Sequence, residues 1–63
     1  MEELKGFIEV NSNNLRMVNI YKINDFHSYS DGQNNCKIFF DKDNYITTKE
    51  SYEEIKELIK NAQ

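Results

Sequence analysis

Residues 47–59, TTKESYEEIKELI, decide the fold of this 63-residue chain. The β-branched pair Thr47-Thr48 closes a strand, and Ser51 opens a helix. Ser51 stands three residues before Glu54, the spacing of a capping box in which each residue's side chain satisfies the other's backbone N–H. Glu53, Glu54 and Glu57 lie toward the positive end of the helix dipole, and Lys60 toward the negative end. Tyr52, Ile55, Leu58, Ile59 and Ala62 recur at spacings of three and four, which makes one apolar stripe. A helix of this length does not hold in water alone, so the stripe must dock on something.

Upstream, what it docks on reads as a sheet. Leu4–Val10 (LKGFIEV) alternates Ile8 and Val10 on one face with Glu9 on the other, the pattern of a half-buried strand. Asn11–Asn14 (NSNN) are turn formers, and Leu15–Asn19 (LRMVN) returns as a second strand. Asn19–Lys22 reads as a single bend or 3₁₀ turn, followed by a strand over Ile23–Tyr29. Asp31-Gly32 is a hairpin signal of the type I′ kind, Cys36–Phe40 (CKIFF) the returning strand, Asp41–Asn44 (DKDN) a turn, and Tyr45–Thr48 (YITT) the last strand. The expected fold is α+β: a small antiparallel sheet of four to five strands with one C-terminal helix packed on one face. Residues 1–63 make one domain.

Composition narrows the function classes. The chain is 38% hydrophobic and 13% aromatic, enough to argue against disorder. No apolar run approaches the ~20 residues of a membrane-spanning helix, and the acidic start lacks the basic segment of a signal peptide, so a cytoplasmic location is expected. Eight basic against eleven acidic residues give a net charge of −3, which disfavours a nucleic-acid backbone as partner. Single cores below ~70–80 residues are marginal without a disulfide, a metal or a partner chain. One cysteine closes no internal disulfide and completes no structural zinc site. A homo-oligomer is therefore expected.

Few side chains carry obvious chemistry. A tight turn at Asp31-Gly32 would set His27 opposite Cys36, but a nucleophile or metal centre needs further groups, and the plainer reading is a buried thiol and a surface imidazole. Asp41 and Asp43 have the spacing that opens a calcium loop, yet the sixth and twelfth positions are Ile46 and Tyr52 rather than Gly and Glu. Glu53 and Glu57 form a solvated helix face. With two glycines there is no phosphate-cradling loop. No catalytic residue, metal ligand or cofactor is expected, and an enzyme comes last among the classes. Most of the aromatic residues are expected in the core. However, Phe39 and Phe40 point to opposite faces of one strand, so one ring must look outward to a second subunit, a partner or a ligand. Arg16, Tyr21, Lys22, Lys37, Phe39 and Phe40 are the candidate binding residues, supplying stacking and cationic groups.

The order of elements, with Phe7–Val10, Val18–Ile23, Ile38–Phe40 and Thr48–Ile59 as its marked segments, resembles the FlbD-type flagellar protein family. It is also similar to short proteins of phages and mobile elements. The likeness spans most of the chain and consists of core positions, turns and a helix cap; it transfers no catalytic residue. The SYSDGQNN hairpin is longer here and the aromatic content higher. With the small size and acidic charge, the expected function is an oligomeric, non-catalytic binding module, phage- or mobile-element-borne as the resemblance implies, that binds or sequesters a host protein or a small signalling ligand, nucleotide-derived ones included, to counter host defence. The alternative is a FlbD-like regulator acting through protein contacts.

Overall fold

A computed structural model describes residues Lys5–Gln63. In chain order the elements are β1 (Phe7–Ser12), β2 (Asn14–Asn19), a 3₁₀ turn (Ile20–Lys22), β3 (Asp25–Ser28), β4 (Cys36–Phe39), β5 (Tyr45–Thr48) and the helix α1 (Tyr52–Ala62). This is the small α+β fold expected, with one difference of architecture. The strands divide into two antiparallel sheets, β1-β2 and β3-β4-β5, rather than one. The 3₁₀ turn redirects the chain after β2, so β3 starts a new sheet. The Asn19 side chain accepts the Tyr21 N–H at 2.9 Å and fixes that bend.

Strand bounds follow local chemistry. β1 starts after Gly6, whose φ of +83° is left-handed and breaks the extended run; Leu4, where the sequence placed the strand's start, lies outside the described residues. Asn13 turns β1 into β2 with φ +69°, a conformation asparagine tolerates. β3 is shorter than the Ile23–Tyr29 expected, and β4 ends at Phe39.

The β3–β4 hairpin is not the tight Asp-Gly turn. Among the described residues only Asn13 and two glycines have positive φ, so Asp31 does not enter the left-handed region that a type I′ turn requires. Instead the Asp31 carboxylate accepts the backbone N–H groups of Gln33 and Asn34, at 2.9 and 2.7 Å, and closes a longer loop. That loop shifts the register by one residue: His27 faces Lys37, and Ser28 faces Cys36. A one-residue slip exchanges the two faces of a strand. Cys36 points into the core and His27 points out, so the two do not meet.

The β4–β5 loop repeats the device. Asp41 accepts the Asp43 and Asn44 N–H groups at 2.8 and 3.0 Å, and the Asn44 amide at 2.8 Å. Hydrogen bonding holds both carboxyls below the usual carboxylate range, led by the Asn34 N–H at Asp31 and the Asn44 side chain at Asp41.

The inner faces of the two sheets and one stripe of α1 enclose the core: Ile8, Val10, Val18, Ile20, Cys36, Ile38 and Ile55. Its fully buried members are aliphatic apart from Cys36, contrary to the expectation that the aromatic rings fill it. Phe26 and Phe40 pack at its edge, and Phe26 meets Tyr52 of the helix at 5.3 Å between ring centres. The capping box forms as read: Ser51 Oγ accepts the Glu54 N–H and the Glu54 carboxylate accepts the Ser51 N–H, both at 3.2 Å. Backbone hydrogen bonds help to hold the layers. Lys49 N–H donates to the Asn11 carbonyl at 3.0 Å, and Gly6 N–H to the Ala62 carbonyl at 2.8 Å. No helix among the described residues is long and apolar enough to cross a membrane.

Candidate binding surface on the outward sheet face

Alternation along three short strands gathers a set of rings around one lysine. In the register His27–Lys37–Thr47 and Asp25–Phe39–Tyr45, these side chains share the face of the β3-β4-β5 sheet turned away from the core. Tyr29, two residues beyond His27, continues the same face. The Lys37 ammonium lies 4.4 Å from the Tyr29 ring centre and 4.5 Å from that of Tyr45, with Phe39 at 5.8 Å. Phe39 in turn lies 5.7 Å from His27, nearly parallel to it, and 5.3 Å from Tyr45. The result is a diagonal ladder, Tyr29–Lys37–Tyr45, beside a His27–Phe39 stack.

The electrostatics follow from these contacts. Each ring face is electron-rich, and a cation over it at an exposed site gains ~0.5–1 kcal/mol. Lys37 is thus held by three neighbours rather than waving in solvent, and it is half-buried. His27 Nδ1 lies 3.0 Å from the Ser28 carbonyl oxygen. A carbonyl only accepts, so this contact calls for the proton on Nδ1. The face therefore offers flat stacking surfaces, one positioned cation and one imidazole, with the Asp25 carboxylate on the same side. The thiol is not part of it: Cys36 is on the other side of β4, fully buried, and burial pushes its pKa up. Among the described residues no three His, Cys, Asp or Glu side chains come together in a way that could hold a metal ion.

Of the six binding residues expected, Lys37 and Phe39 are brought together here. Phe40 turns inward and packs against the core. Arg16 is on β2 opposite Val10, in the other sheet. Tyr21 and Lys22 are exposed on the 3₁₀ turn, and the Tyr21 ring edge overlies Gly6, where an added Cβ would come within 2.8 Å of it. His27, Tyr29 and Tyr45 complete the face. Their signal was present as alternation in DFHSY and in the aromatic start of YITT, but it aligns only once the hairpin register is known.

Fold and site together define a small two-sheet α+β protein with an aromatic, lysine-centred face. No protein-family model matches the chain, and comparisons with curated proteins and with solved structures gave no match.

Proposed function

We propose that this protein is a non-catalytic binding module that holds a small, planar, anionic ligand of nucleotide type on the outward face of the β3-β4-β5 sheet. The observation that carries this reading is Lys37 held between Tyr29 and Tyr45. Aromatic rings accept a heterocycle by stacking, worth ~1–3 kcal/mol per base. A lysine already positioned among them loses little further freedom when it meets a phosphate. The net charge of −3 weighs against a long polyanion but leaves room for a ligand with few charges. Self-association belongs to the same reading. Among the described residues β2 pairs only with β1, and its outer edge is where a second copy would extend the sheet.

Isothermal titration calorimetry with a panel of linear and cyclic mono- and dinucleotides tests the ligand. Saturable binding is expected, weakened about tenfold or more by Tyr45→Ala, consistent with the loss of one stacking contact. Absence of heat across the whole panel would sink the ligand class. Light scattering after size exclusion tests the oligomer, and a monomer at micromolar concentration would remove that part of the reading.

A further inference from the structure

A second surface lies away from the sheet platform, where the outer face of the β1-β2 hairpin meets α1. The hairpin's outward positions are Phe7, Glu9 and Asn11 on β1 and Leu15, Met17 and Asn19 on β2. Three of them are large apolar side chains left in water: Leu15 is 68% exposed, Met17 49% and Phe7 40%. Singly such residues mean little, but a contiguous group marks a contact surface. Phe7 and Met17 form the floor of a groove of about 400 Å³ whose far wall is Leu58 and Ala62 of the helix.

The groove runs into a second depression of about 510 Å³ that shares Glu9, Leu58 and Asn61 with it. That part is walled by Glu50, Glu53, Glu54 and Glu57, and among the described residues no lysine or arginine lines either part. Helix periodicity explains the segregation. Glu54, Leu58 and Asn61 follow one another at spacings of four and three along the flank turned to the hairpin, while Lys56 and Lys60, four apart, run along the opposite flank. An apolar floor with a one-signed rim is selective by charge.

We propose that this groove docks a basic amphipathic helix belonging to a partner protein. The partner's apolar stripe would cover Phe7, Met17 and Leu58, and its lysines or arginines would meet the carboxylates of Glu9, Glu53 and Glu57. Helix-in-groove recognition uses this division between apolar anchors and a charged rim. A second copy of this chain is the poorer occupant, because a two-fold contact would set the acidic rim against itself. The site is independent of the sheet platform, which lies on a different sheet and different strands.

The probe is a fluorescein-labelled amphipathic peptide of lysine and leucine, read by anisotropy against the intact chain. Binding is expected, falling as salt rises. Met17→Ser and Glu57→Lys are each expected to weaken it about tenfold. Asp43→Lys makes the same change in net charge on the β4–β5 loop, and is expected to leave affinity within about twofold of wild type. A scrambled peptide of the same composition, with its apolar stripe destroyed, is expected to bind far more weakly. The proposal is overturned by absence of binding, by equal binding of the scrambled peptide, or by equal losses in Glu57→Lys and Asp43→Lys. A chain that dimerises through this groove, seen as a dimer whose affinity Glu57→Lys, on the helix rim and off the β2 edge, changes strongly, would also overturn it.

Discussion

The Glu50 carboxylate accepts the backbone N–H of Asn11 through both oxygens, at 2.9 and 3.1 Å, across 39 residues of sequence. This contact and the neighbouring Lys49–Asn11 bond tie the end of β5 to β1, and so tie one sheet to the other. Hydrogen bonds to charged groups contribute ~1.5–3 kcal/mol, and leaving a half-buried N–H without a partner costs a comparable amount. Glu50→Ala is expected to lower stability by ~1–2 kcal/mol and the urea midpoint with it, with Glu50→Gln falling between the two. An unchanged midpoint in Glu50→Ala would show that the sheets do not depend on this tie.

Gly6 has a different vulnerability. Its φ of +83° disfavours any side chain, and a Cβ there would press on the Tyr21 ring at 2.8 Å. Gly6→Ala is expected to cost ~1–3 kcal/mol. The double variant Gly6→Ala/Tyr21→Ala should recover the steric part and keep the backbone part. Thermal melts of the three chains separate the contributions.

Ser51→Ala removes the oxygen that accepts the Glu54 N–H. The expected loss is ~1 kcal/mol, or a fall of ~4–8 °C in Tm for a domain of this size. Ser51→Asp should retain most of the stability, since aspartate also caps and adds a favourable charge at the helix start.

Acid should weaken the hairpin loops. Asp31 and Asp41 have carboxyls held below their ordinary values, chiefly by the Asn34 N–H and the Asn44 side chain respectively. A depressed folded-state value means that the loop bonds contribute above the unfolded carboxylate value of ~4 and are lost as pH falls through the folded value. The double variant Asp31→Asn/Asp41→Asn cannot titrate at these sites. Its Tm deficit against wild type is expected to be constant above pH ~5 and to shrink progressively in acid. A deficit independent of pH down to 2 would show that these two groups do not take part in acid unfolding.

Cys36 is a reporter of opening. It is fully buried beside Thr48, and burial raises its thiol pKa, so little thiolate is available to react. Ellman's reagent is expected to modify it slowly in the native state and at once in denaturant. Fast native-state labelling would contradict its placement in the core.

The sequence was most legible where a signal is local. The capping box, the Tyr45–Thr48 strand and the bend read at Asn19–Lys22 each depend on residues a few positions apart; the first two stand where the pattern placed them, and the bend forms as Ile20–Lys22 capped by Asn19. The β3–β4 register was not legible, because the Asp31 side chain rather than a two-residue turn sets the loop length. Asp-Gly favours one turn, and the acceptor capacity of the same aspartate favours another. The split into two sheets was hidden for a different reason: the 3₁₀ turn after β2 was legible as a bend, but that the chain beyond it starts a new sheet is a matter of tertiary packing that no periodicity announces. The candidate surface inherited both difficulties. Lys37 and Phe39 stood out as single residues, but Tyr29, Tyr45 and His27 joined them only through the shifted register.

The bond from Gly6 to Ala62 has a consequence for the chain during its synthesis. Each hairpin joins neighbours and can pair as soon as its own residues have left the ribosome. The core cannot close in that way, since Ile55 supplies its centre and Ala62 its clasp on Gly6. Until α1 has emerged and docked, the hairpins cannot fully bury Ile8, Val10 and Ile38, which leaves these residues open to chaperones and to unwanted pairing. Deleting the last turn of α1 should therefore act like loss of the whole fold rather than a local change.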